Sequence, residues 1–259
     1  MELRQFALEV VTATDLESKL RAPSGFTDEE PGAPLFLTEP GRPESLRIAY
    51  GRAPKVPKVV GMADEAQRVR ILHAFANHEL QAVELFAWAL LAFPEAEPDF
   101  RRGLLRILED EQRHTRMYVR LLESRCCSFG NFPVNGYFWA KAAEFSTPLR
   151  FVAAMSLTFE SANLDHASDY RALALAAGDH ELAGVIDVIH REEIEHVRFG
   201  WDWLNRLKAP GASAWDAYRS SLAWPLRPSR SVGRSFDEAA RSAAGMDRSF
   251  LEALARDKD

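Results

Sequence analysis

Two stretches with helical patterning carry the same short motif, Asp110-Glu111-Gln112-Arg113-His114 and Glu192-Glu193-Ile194-Glu195-His196. In each, an acidic residue precedes Glu-x-x-His. Residues three apart share a helix face, so Glu111 pairs with His114 and Glu193 with His196. A four-helix bundle holding two metal ions uses such a pair twice and adds one Glu from each of its other two helices. Glu79 lies 32 residues before Glu111, and Glu160 lies 33 before Glu193. One Glu-x-x-His is ordinary helix-surface chemistry. Two copies, each preceded by a Glu at nearly the same distance, are a far more specific signal.

Positioning these residues takes four helices in two antiparallel hairpins. Asp64 can cap the first, with Gln67 three residues on; the helical pattern then runs to Phe93 and stops at Pro94. Pro98-Asp99 opens the second, which continues to about Ser124. Residues 125–146, with Gly130, Pro133 and Gly136, form a long crossover. Thr147-Pro148 starts the third helix, which passes Glu160; Gly178-Asp179 precedes the fourth, from about Glu181 to Leu207.

The levels agree. With a turn near residue 96, Glu79 is 17 residues back and the centre of Glu111–His114 between 16 and 17 forward. Glu84, the other candidate, would sit about 7 Å lower at 1.5 Å per residue. Phase also favours Glu79, which shares a stripe with Leu72, Phe75, Phe86 and Leu90. In the second hairpin, Glu160 shares its side with Leu157 and Leu164, and the facing helix offers Ile186, Ile189 and Gly200. All six candidates thus point into an apolar interior. Four ionised glutamates there would cost several kcal/mol each unless compensated, and two divalent ions supply the balancing charge. Oxygen and imidazole donors suit iron or manganese, as an iron–iron or manganese–iron pair. The competing account places these residues in surface ion pairs, as Glu181, Arg191, Glu192 and Glu195 could be.

Nearby residues are open to two accounts. Asp110 and Glu192 could accept the free N–H of a metal-bound imidazole or simply face solvent. Tyr118 is a redox neighbour or core packing; His78, about 100° from Glu79, is core or a supporting group. His166, His180 and His190 are read as ordinary. With Phe75 and Phe159, Tyr118 would line an apolar pocket.

Outside this core, residues 1–61 carry prolines at 23, 31, 34, 40, 43, 54 and 57. They read as an extended arm with one short helix near Asp15–Leu20. The arm is expected to lie across the core; a lid or a homodimer contact is the alternative. Residues 62–207 form the bundle. Residues 208–259 add short helices near Ala214–Leu222 and Ser235–Arg256, the second with a capping box from Ser235 to Glu238. Arginines between Arg227 and Arg248 are expected on a solvated tail. Strand signals are nearly absent, so the fold is all-α.

The 259 residues are 47% hydrophobic with net charge −6. One sizeable core is affordable, and nucleic acid is an improbable partner for so acidic a chain. No apolar run approaches the roughly 18 residues of a membrane span, and Met1-Glu2-Leu3-Arg4-Gln5 lacks a signal-peptide pattern. A cytoplasmic protein with no membrane partner is expected. Cys126 and Cys127 read as reduced thiols.

The paired motif resembles the ferritin-like superfamily: ferritins, bacterioferritins, ribonucleotide reductase small subunits and bacterial monooxygenases. Within it the chain is similar to the uncharacterised ferritin-like domain-of-unknown-function family four hundred fifty-five. His78-Glu79-Leu80-Gln81-Ala82-Val83-Glu84-Leu85, Glu160-Ser161-Ala162-Asn163-Leu164-Asp165 and Glu192-Glu193-Ile194-Glu195-His196-Val197 carry that likeness. The run from Pro43 to Met62 looks similar too. The resemblance covers roughly residues 15–205. It implies a ferritin-like four-helix bundle with a dimetal-carboxylate site at Glu79, Glu111, His114, Glu160, Glu193 and His196. Members commonly have Arg-Gly where this chain has Ala162-Asn163, a departure that would alter the pocket beside Glu160.

The reading adopted is a non-heme di-iron oxidoreductase that activates O2 to oxidise a small organic substrate, drawing on an electron donor the sequence does not name. Glu79, Glu111, Glu160 and Glu193 would bind or bridge the ions, and His114 and His196 would each take a terminal position. Alternatives are a ferroxidase or iron-handling protein, a tRNA-modifying di-iron hydroxylase, and a metal-free helical scaffold.

Overall fold

The structure, a computed structural model, describes residues 1–22, 25–49 and 55–257. Pro23 and Pro54, two of the prolines assigned to the arm, lie outside the described residues, as does part of the run from Pro43 to Met62. The described residues are all-α: they contain no strand, only the isolated bridges Glu2–Thr27 and Ile48–Val134. No helix among them is long and apolar enough to cross a membrane. The chain divides into two compact units, Met1–Ala143 and Glu144–Asp259.

In the first unit the long hairpin is α3 (Glu65–Ala92) and α4 (Pro98–Glu123). The Asp64 carboxylate accepts from the Gln67 N–H at 2.9 Å and starts α3. Pro94 prevents its continuation, and the buried Arg101 guanidinium donates to the end carbonyls of Leu90 and Phe93. The five-residue turn makes α3 and α4 antiparallel neighbours. From Ile71 onward α3 is buried on nearly every side, so something else must cover the flank that α4 leaves.

Part of that cover is a helix the sequence reading missed. The first residues do not run extended: Leu3–Thr12 form α1, which buries Leu3, Phe6, Ala7, Val10 and Val11 against α3. Their i, i+3, i+4, i+7 spacing is a helix signal, overlooked because the prolines after residue 22 coloured the whole arm. The expected short helix is present as α2 (Leu16–Leu20), capped by Asp15. Beyond it the arm is largely irregular and lies on α3: Trp88 Nε1 donates to Leu37 O at 2.9 Å, and Leu35 N to Leu91 O at 3.0 Å.

In the second unit Thr147 caps α5 (Pro148–Ala154), accepting from the Arg150 N–H at 3.2 Å. The expected continuous third helix is interrupted. Met155–Glu160 form one π-helical stretch, after which α6 (Ser161–Ala176) resumes. Gly178, at φ +76°, turns the chain, and Asp179 caps α7 (His180–Leu207). Three further helices follow: α8 (Ala214–Ser221), α9 (Glu238–Ala243) and α10 (Arg248–Arg256). The stretch expected as one helix from Ser235 is therefore two, and its cap is Asp237, accepting from the Ala240 N–H, not Ser235. These helices pack Tyr218, Phe250, Leu251 and Leu254 into one apolar cluster with Leu157, Leu164, Val197 and Trp201.

Candidate metal centre

In the first unit the 28-residue α3 brings Glu79 alongside α4, where Glu111 and His114 sit one helical turn apart. His114 Nδ1 lies 3.5 Å from a Glu111 oxygen and 3.9 Å from a Glu79 oxygen. Each of the three offers a ligand atom within 4.8 Å of the others. In the second unit His196 Nδ1 lies 3.3 Å from Glu193 Oε2. Glu160, Glu193 and His196 form the corresponding group, again with ligand atoms within 4.8 Å of one another. None of the six side chains belongs to a residue more than 7% exposed, so the surface ion-pair account does not apply to them. In both groups it is Nδ1 that turns toward the carboxylates. The donors are oxygens and imidazole nitrogens, and neither free cysteine belongs to either group; this set suits iron or manganese over a thiophilic metal.

Glu84, the competitor of Glu79, is engaged elsewhere. It is fully buried and receives the Arg42 guanidinium at 2.7–3.2 Å, Lys19 Nζ at 3.1 Å and the Trp139 indole N–H at 2.8 Å. Lys19 also donates to Val10 O and Val11 O in the last turn of α1, so its ammonium keeps partners although burial pulls its pKa down.

Residues 4–252 match the family model described as "Protein of unknown function (DUF455)". The chain belongs to that family. A DUF455 match over nearly the whole chain takes in the N-terminal arm and the C-terminal helices as well as the long hairpins. An uncharacterized protein of Haemophilus influenzae is 27% identical over 180 residues, 66% of this chain and 62% of that protein. The chain thus spans about three-fifths of that relative's length. No solved structure matches.

Around the groups, the neighbouring residues of this DUF455 chain make contacts of several kinds. Asn163, one of the two positions that depart from the resemblance, donates from Nδ2 to Glu193 Oε1 at 3.3 Å. Asp110 meets Arg113 at 2.8 Å and is partly exposed. Tyr118 is buried with its ring 5.5 Å from that of Phe75, and the His78 ring is 5.4 Å from that of Phe138. His190, read as ordinary, lies 3.3 Å from Asp237.

Of the C-terminal arginines, Arg230, Arg234 and Arg248 are exposed, as expected of a solvated tail. Arg241 is not on a solvated tail: it is fully buried, forking onto Asp165 at 2.6 and 2.9 Å and donating to Ser161 O and Ser231 O. Tyr218 was not singled out either. Its hydroxyl lies 2.8 Å from Thr158 Oγ1, and burial pushes its pKa up to about 12, so it stays protonated. No local pattern marks these two, because their partners lie 60 and 76 residues away.

Proposed function

We propose that this protein carries two metal ions, one on Glu79, Glu111 and His114 and one on Glu160, Glu193 and His196, working together as a dinuclear carboxylate centre. One observation carries the reading: two separate buried groups, each of two glutamates and a histidine, repeat one donor set. Four carboxylates buried among apolar side chains are costly without compensating positive charge, and two divalent ions would provide it. The paired Glu-x-x-His pattern and the resemblance to ferritin-like proteins favour iron, or iron with manganese, as the metal.

The activity we infer is oxidation of a small organic substrate by O2. Reduced iron, when bound, would supply the electrons that O2 activation needs. The chain's part is to fix the donor atoms and keep water out. Nδ1 of His114 and of His196 would each hold one ion, the four glutamates would bind or bridge, and Asn163 would orient the Glu193 carboxylate. Phe75 and Tyr118, whose rings pack 5.5 Å apart in the first unit, would give the substrate apolar surroundings there.

Elemental analysis of protein from iron- and manganese-supplemented cells tests the centre, followed by anaerobic reduction and mixing with O2 under absorbance. Close to two ions per chain and a transient visible band are expected. His196→Ala should retain about one ion and lose turnover. Absence of metal after reconstitution would leave the metal-free scaffold. Metal with O2 consumption but no organic oxidation, in a large cage-like assembly, would point to iron handling.

A further inference from the structure

Glu160 is the last residue of the π-helical stretch Met155–Glu160. A π-turn carries one residue more than the α-turn it replaces, so everything after it is rotated by about 100° relative to an unbroken helix. The direction of the Glu160 carboxylate therefore depends on this stretch holding its shape. Such geometry is rare and seldom maintained by local sequence alone. Here groups from outside the helix grip it near its middle and just past its end.

Near its middle, Thr158 Oγ1 donates to Ala153 O at 2.8 Å, five residues back, the spacing of the π ladder. Tyr218 on α8 braces that threonine, its hydroxyl 2.8 Å from Oγ1 and 3.3 Å from Leu157 O. Just past Glu160, Arg241 on α9 donates to Ser161 O at 3.0 Å while its fork is fastened to Asp165. The wall behind the stretch is Gly200 on α7, one turn beyond His196; a Cβ there would lie 2.3 Å from Ser156 Cβ. Only glycine allows the bulged backbone to lie so close.

We propose that Tyr218 and Arg241, both in the C-terminal helices, are positioning residues for Glu160: they hold the π-turn in register and so set the affinity of the second group for its ion. The proposal rests on the metal-centre reading above. It gives the C-terminal segment a role that reaches the site without any of its residues being a ligand.

Tyr218→Phe removes the hydroxyl and keeps the ring in its cluster. Leu254→Ala, in the same apolar cluster, is the control that lowers thermal stability without touching the π-turn. Anaerobic calorimetric titration with Fe(II) or Mn(II) would be run on wild type and both variants, with amide exchange of residues 155–161 in metal-free protein. Tyr218→Phe is expected to bind one ion as wild type does and the other about 10-fold or more weakly, with faster exchange at 155–161. Leu254→Ala should change neither. Two ions bound by Tyr218→Phe at wild-type affinity would overturn the positioning role alone, as would equal weakening in both variants. A wild type that takes up no metal would instead remove the centre, and this proposal with it.

Discussion

Glu79 and Glu160 occupy equivalent places in the two units, yet their helices are built differently. Glu79 sits midway along the unbroken 28-residue α3, while Glu160 ends a π-turn. Five residues after each comes a fully buried acid, Glu84 and Asp165, and each acid takes a forked arginine from a segment outside the long hairpins, Arg42 and Arg241. The first lock fastens the N-terminal arm to α3, with Lys19 as a second cation. The second fastens α9 to α6, with the Gly233 and Asp237 N–H groups also donating to Asp165, and its arginine reaches the backbone at Ser161 as well. A regular helix needs a brace only for its flank. An irregular one needs its backbone held, and the second unit's arginine does both.

Arg241→Ala should break this comparison hardest. It leaves Asp165 buried without its cation, a loss of about 3–5 kcal/mol, read as a lower urea midpoint. Arg42→Ala should cost less, about 2 kcal/mol, because Lys19 and Trp139 remain on Glu84. Equal losses would show that the second cation contributes nothing. Gly200→Ala should destabilise by about 1–3 kcal/mol through the clash with Ser156. On the same helix Gly184→Ala meets nothing within 4 Å and should stabilise by roughly 0.5–1 kcal/mol. The opposite signs, read by thermal melting, would localise the tight packing to the π-turn side of α7.

Acid should affect the first unit through His73. Burial lowers its pKa from 6.5 to about 4, and its Nε2 accepts the Gly130 and Phe132 N–H groups at 2.9 and 3.4 Å. The unfolded chain binds this proton more readily than the folded one between those values. Stability from this group is therefore complete above pH 6.5 and is lost as pH falls toward 4. The loss should approach about 1.4 kcal/mol per pH unit within that window. His73→Gln should flatten that part of the pH profile; an unchanged slope would place the acid sensitivity elsewhere.

Much of this was readable from short-range pattern. The caps at Asp64, Thr147 and Asp179, the stops at Pro94 and Gly178, and the Glu-x-x-His pairs each depend on residues within a few positions. So the all-α class and the bounds expected for α3, α4 and α7 agree with the structure to within a few residues. The first helix was readable too, from Leu3, Phe6, Val10 and Val11, but proline composition was allowed to outweigh periodicity.

What the sequence determined by itself was which side chains share a helix face, because local geometry converts spacing directly into direction. That was enough to put Glu111 beside His114 and Glu193 beside His196. Tertiary structure decided that Glu84 is an ion-pair partner of the arm, that Arg241 is buried, and that the helix before Glu160 carries an extra residue in its turn. Those outcomes depend on partners 42 to 80 residues away. A buried charge settles on whichever distant group can satisfy it, and no local periodicity records that choice.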